Sequence, residues 1–163
     1  MLVLGIDPGI ALTGYGLVRE GPGGDAEYVA HGVVSTPSTD PVAVRLQSIY
    51  REVRALVESY KPVSAGIEKL LFGKNVTNAI NVGQARGVTL LALADCGLTT
   101  TEYTPAEIKQ AIAGYGNASK TQVQEMLRLL LNLDRVPTPD DAADAVAIAI
   151  THLYATRYHS LTT

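Results

Sequence analysis

The chain has no tryptophan, one phenylalanine and one cysteine in 163 residues. The lone Cys96 excludes an intrachain disulfide and a thiolate metal cluster, and it fits a reducing compartment. His31, His152 and His159 lack ligand spacing, so no zinc centre is expected and each reads as a surface or packing residue. No basic segment precedes a hydrophobic run at the amino terminus. The longest largely apolar stretch, Val88–Ala94, is far too short to span a bilayer, so a cytoplasmic protein without membrane contact is expected. Internal repeats and low-complexity segments are absent, as are G-x-S-x-G, Walker and Cys–His patterns. Charged residues make up 18% against 47% hydrophobic, the balance of one globular domain over residues 1–163.

What the chain does have is acids in awkward places. Asp7 ends an apolar strand, Leu2–Asp7, and is followed at once by Pro8-Gly9. Glu68 ends another apolar stretch, and Asp141 and Asp144 open an alanine-rich final helix. A desolvated, unpaired carboxylate costs several kcal/mol, on the order of the stability of a small domain, so each needs a partner, a proton or a cation. Taken alone, Asp7 also reads as a turn acid capping local N–H groups. Asp140 and Asp141 suit the first turn of a helix, where acids favour the dipole. Asp144 lies one turn further on, in line with Ile148 and facing the sheet, and has no such structural role. Asp141 and Asp144 are therefore read as the working pair and Asp140 as a helix-cap acid. All-oxygen donors without His or Cys suit Mg²⁺, with Mn²⁺ as a substitute, and two such ions per site serve phosphodiester hydrolysis.

The net charge of −3 argues against a nucleic-acid partner only until the acids are neutralised by cations, which would bring it to +1. Lys74, Asn75, Arg86, Lys109, Asn117, Ser119 and Lys120 fall in expected loops or at helix ends, where they could touch phosphates. Phe72 sits in the glycine-bearing loop after Glu68, which suits base stacking better than a core.

The pattern predicts strands over Leu2–Asp7, Thr13–Arg19 and Glu27–Ser35, joined as hairpins, then a helix from Val42 to near Lys61-Pro62. A short strand, Ala65–Glu68, a helix over Val76–Cys96 and a strand over Thr99–Tyr103 follow. Capping boxes open helices at Thr104 and Ser119, and the last helix starts at Thr138-Pro139-Asp140-Asp141 and runs to about His159. This order implies an α/β fold with a mixed five-stranded sheet and helices on both faces. The second half of the Val76–Cys96 helix is apolar on all sides, which points to a homodimer built around it.

The segments LGIDPG with TGYG, IEKLLFGKN, GQARGV, IKQAIAGYGNASKTQVQ and DAADAVAIAITH together resemble the bacterial RuvC-type Holliday junction resolvases, in order from Leu4 to about His152. The resemblance implies a ribonuclease-H-like fold and a homodimeric, metal-dependent endonuclease. Such an enzyme makes paired symmetric nicks in four-way junction DNA during recombination and repair, alongside the branch-migration helicase complex. It also implies that the metal-binding acids are Asp7, Glu68, Asp141 and Asp144, and that Lys109 and Lys120 contact DNA. The family's base-stacking aromatic falls at Leu71, next to Phe72, so the wedge is one or the other. Two other classes stay open at this point: an actin-like or sugar-kinase-type nucleotide-binding domain, and a junction-binding scaffold without catalysis.

Overall fold

The computed structural model describes residues 1–70 and 76–162. Three antiparallel strands, β1 (Leu2–Asp7), β2 (Leu12–Glu20) and β3 (Ala26–Ser35), are followed by α1 (Val42–Tyr60), β4 (Ser64–Glu68) and α2 (Val76–Asp95). Then come β5 (Thr99–Tyr103), α3 (Pro105–Ala113), α4 (Lys120–Leu130) and α5 (Asp140–Thr162). The strands form one five-stranded sheet in the order β3-β2-β1-β4-β5, with β1, β4 and β5 parallel. The expected mixed sheet with helices on both faces is thus present. No described helix is long and apolar enough to cross a membrane.

Period-two alternation sends neighbouring residues of β1 to opposite cores. Leu4 and Ile6 pack with Ile49, Val53 and Val57 of α1 and with Ala92 and Leu93 of α2. Val3 packs on the other face with Ile108 and Ile112 of α3 and Val146 to Leu153 of α5. The same alternation puts Gly5 and Asp7 on the α5 face. In β4 it puts Ser64, Gly66 and Glu68 there, consistent with Ser64 reaching His152 of α5.

α5 lies unusually close to this face because neither surface carries bulk. Ala142, Ala143, Ala145, Ala147 and Ala149 are buried along it. Opposite them, a Cβ on Gly14 would collide with the Asp141 carbonyl, one on Gly5 with the Ala145 carbonyl, and one on Gly16 with Val146. The final helix extends to Thr162, past the expected end near His159. Two further placements need correction. Arg86 and Lys109 stand inside α2 and α3 rather than in loops or at helix ends, because the apolar periodicity of both helices continues through them.

Candidate active site

Asp7 and Glu68 end two adjacent parallel strands whose register sets Ile6 beside Ile67, one residue before each acid. Both carboxylates emerge at the carboxyl edge of the sheet, on the α5 side, the edge where open α/β sheets bind ligands. Gly14 pairs with Asp7 across β1 and β2, and it is also where the Asp141 backbone makes its closest approach. The glycine hairpin therefore brings the first turn of α5 over Asp7, with Asp141 and Asp144 one turn apart on it.

The acids form one electrostatic unit. The Asp7 carboxyl is pushed up to about 7, first by burial and then by the charges of Asp144, Glu68 and Asp141. Glu68 is raised by burial and by Asp144, against the opposing pull of Lys120, Arg86 and Lys109. Asp144 is raised chiefly by burial, with Lys120 pulling the other way. Among the described residues no three His, Cys, Asp or Glu side chains close on a common point tightly enough to cage an ion as they stand. The cation found there is an ammonium: Lys120 Nζ lies 3.3 Å from Asp144 Oδ2 and 3.1 Å from Asp140 Oδ2. Carboxylates that raise one another's pKa, with oxygen as the only donor, fit a hard divalent cation.

A cleft of about 250 Å³ opens between α3 and α5, bordered by Glu68, Asp144, Lys109 and Lys120. A second, of about 210 Å³, lies beyond Glu68 and is bordered by Asp7, Lys69 and Arg86. Glu68 borders both. Lys109 thus faces the acids from inside α3. Ser119 is the N-cap of α4: its hydroxyl accepts from the Gln122 N–H at 3.2 Å, and the Gln122 side chain accepts from the Ser119 N–H at 2.8 Å. Asn117 is exposed in the connection before it. Leu71, Phe72, Lys74 and Asn75 lie outside the described residues.

Other features were not visible in the sequence. Arg86 is nearly buried, and its guanidinium is spent on protein: Nη1 donates to the Glu68 backbone carbonyl at 2.6 Å and Nη2 meets Glu102 Oε1 at 2.5 Å. Asp140 is more than a cap acid, since it pairs with Lys120 and accepts from Gln124 at 3.2 Å. His152 is fully built in, with Nδ1 2.8 Å from the Tyr103 hydroxyl and Nε2 2.8 Å from Ser64 Oγ; burial lowers its pKa to about 4, so the ring is neutral. The only signal for it in the sequence was its position two turns after Asp144.

A mixed sheet with acids at the ends of its two central parallel strands, crossed by an acid-bearing helix, defines a nuclease of the ribonuclease-H-like fold. The chain belongs to the RuvC family: the family model described as crossover junction endodeoxyribonuclease RuvC matches residues 3–152. A crossover junction endodeoxyribonuclease RuvC of Chloroflexus aggregans is 54% identical over 154 residues, 94% of this chain and 93% of that protein. One from Heliobacterium modesticaldum is 51% identical over 150 residues, 92% of each. Among solved structures, Thermus thermophilus RuvC in complex with a Holliday junction substrate superposes with a TM-score of 0.91 at 36% identity, covering 98% of this chain and 96% of that one. A yeast mitochondrial Holliday junction resolvase, 17% identical with a TM-score of 0.69, covering 96% of this chain and 82% of that one, shares the fold. The family is one of nucleases and implies a divalent metal, which sets aside the nucleotide-binding reading.

Proposed function

We propose that this chain resolves four-way DNA junctions by paired symmetric nicks at a site built from Asp7, Glu68, Asp141 and Asp144. The observation that carries the reading is Asp7, whose carboxyl is driven towards neutral pH by burial and by the three other acids. Such repulsion is relieved by a proton on Asp7 or by bound cations, and cations are the choice that leaves all four carboxylates charged at neutral pH. In this reading the four carboxylates hold two Mg²⁺ per active site, with Mn²⁺ as a substitute. Bound there, the ions supply a nucleophile at neutral pH and stabilise the charge that develops on the scissile phosphate. The chain's own side chains do the rest. Lys109 and Lys120, which both border the cleft, contact the phosphates that flank the scissile bond, and Lys120 exchanges its Asp144 contact for one of them. Asn117 and the first turn of α4, which Ser119 caps, add phosphate contacts from the amino-terminal end of that helix. The base-stacking wedge is Phe72 or Leu71, a reading supported by sequence alone.

A junction has two strands to cut, so the reading includes a homodimer. Its support is an unpartnered stripe on α2: Ile80 is 57% and Leu91 55% exposed, in line with exposed Gln84 and Gly87. A Cβ at Gly83 or Gly87 would meet nothing within 4 Å, so this face has room for a second helix. The branch-migration helicase complex is proposed as a partner, and the cytoplasm as the place of action, on the family resemblance.

The test is incubation with a synthetic mobile four-way junction, with and without Mg²⁺. Symmetric, metal-dependent, ligatable nicks are expected. Tight binding without any nicking would support the catalytically silent scaffold instead.

A further inference from the structure

Arg86 borders the second cleft beside Asp7, Glu68 and Lys69, but its guanidinium is bonded to protein groups. Its side chain is 11% exposed, and both ends of its guanidinium are engaged. The acceptor at one end is the backbone carbonyl of Glu68. Pairing of β1 with β4 stops at Ile6 and Ile67, and the residue after Asp7 is Pro8, which has no N–H to give. The last carbonyl of β4 therefore takes its hydrogen bond from a side chain of α2. On its other edge the strand end is held to β5, with Glu68 in register with Tyr103 and the Lys69 N–H donating to the Tyr103 carbonyl at 2.7 Å. The far end of Arg86 is anchored on Glu102 of the same edge strand.

The peptide plane after Glu68 is thus clamped from both sides, and its orientation sets the direction in which the Glu68 side chain leaves the backbone. Glu68 lines both clefts, so the orientation of that plane bears on how its carboxylate is presented to each. A fork with two rigid donor edges can hold a carbonyl and a carboxylate together, which a lysine's point charge cannot do in the same geometry.

We propose that Arg86, with Glu102 as its anchor, is a positioning residue that fixes Glu68 for metal binding, and that it is not a DNA contact. The proposal rests on the reading of Glu68 as a metal-binding acid. It also ties α2, the helix of the proposed dimer, to the active site through one side chain.

The experiment measures Mn²⁺ affinity by calorimetry without DNA, junction affinity in EDTA, and steady-state nicking, for Arg86→Gln, Arg86→Lys, Glu102→Gln and Glu68→Gln. Removing a group that orients a metal ligand typically costs about 10- to 100-fold in metal affinity. Arg86→Gln should lose about tenfold in Mn²⁺ affinity and at least as much in kcat, with KM and junction affinity within about twofold of wild type. Arg86→Lys should recover part of the metal affinity. Glu102 is half exposed, so Glu102→Gln should fold and lose about threefold, and it carries the test if Arg86→Gln does not accumulate. Wild-type Mn²⁺ affinity in Arg86→Gln or in Glu102→Gln, beside a crippled Glu68→Gln, would overturn the positioning role. A tenfold loss of junction affinity in Arg86→Gln with metal affinity intact would overturn it in favour of a DNA contact. Wild-type Mn²⁺ affinity in Glu68→Gln would overturn the metal site itself.

Discussion

Asp7 bears the largest electrostatic load of any residue in the site. Its folded-state pKa of about 7 stands well above its ordinary 3.8, and each unit of such a shift is worth about 1.4 kcal/mol between protonation states. A carboxyl raised in the folded state stabilises the fold while protonated; that contribution is full below about pH 4 and is lost as pH rises through about 7. His152 works the other way: held neutral by burial, it contributes stability above its ordinary 6.5 and loses it as pH falls through about 4. In EDTA, Asp7→Asn should therefore raise Tm at about pH 8 and change it little at about pH 4, as read by a melting series across that range. Mg²⁺ should raise the wild-type Tm at pH 8 far more than that of the variant. On activity, Asp7→Asn, Glu68→Gln, Asp141→Asn and Asp144→Asn should each lower nicking by at least about a hundredfold, the scale of losing a charge-stabilising group, with junction binding in EDTA largely intact. Near-wild-type cleavage by Asp144→Asn would remove Asp144 from the site. Asp140→Asn, which loses only an exposed pair with Lys120, should change the rate by less than about fivefold.

Among the elements, α5 and the glycine hairpin beneath it act as a matched pair. Alanines on one and glycines on the other let backbone meet backbone, and that approach carries Asp141 and Asp144 to Asp7. Gly14→Ala puts a methyl against the Asp141 carbonyl, and overpacking of this kind costs about 1–3 kcal/mol. A lower Tm is therefore expected, together with a fall in nicking larger than the fraction unfolded explains, because the first turn of α5 must lift. Gly97, which has open space around it but a φ of 73°, is the contrasting position: Gly97→Ala should lower Tm through backbone strain while folded protein nicks at the wild-type rate. A single-turnover assay at matched folded concentration separates the two. The caps matter at this scale as well. Ser119→Ala removes the α4 N-cap and should cost about 1 kcal/mol, measurable by denaturant titration.

At the level of the whole molecule, the proposed dimer turns on the exposed stripe of α2. The inward side of that helix is used up by Ala85, Arg86, Thr89, Ala92 and Leu93, all buried, so Leu91 and Ile80 are left over rather than misplaced core. Leu91→Asp would bury a charge in a helix pair and should yield monomers in equilibrium sedimentation at micromolar concentration. The same variant should still bind Mn²⁺, since Leu91 lies on the face of α2 opposite Arg86. Monomeric wild-type protein under those conditions would remove the dimer.

The strands, the helices and the acids at their ends were legible in the sequence because each leaves a local mark: alternation over a few residues, a helical period, a capping box, a charge where an apolar run should continue. β1, β4, α2 and β5 fall within a residue or so of the expected spans for that reason. The folded chain alone decided which of these marks meet. Arg86 looked like one more cation until an edge strand and a strand-end carbonyl 18 residues away claimed it. Lys120 became the partner of Asp140 and Asp144, and His152 became the link between Ser64 and Tyr103, 88 and 49 residues distant. The physical reason is the same in each case. Periodicity and capping are fixed by neighbours along the chain, whereas the partner of a buried polar group is fixed by whichever element packs over it, and that depends on how closely α5 and α2 can approach the sheet.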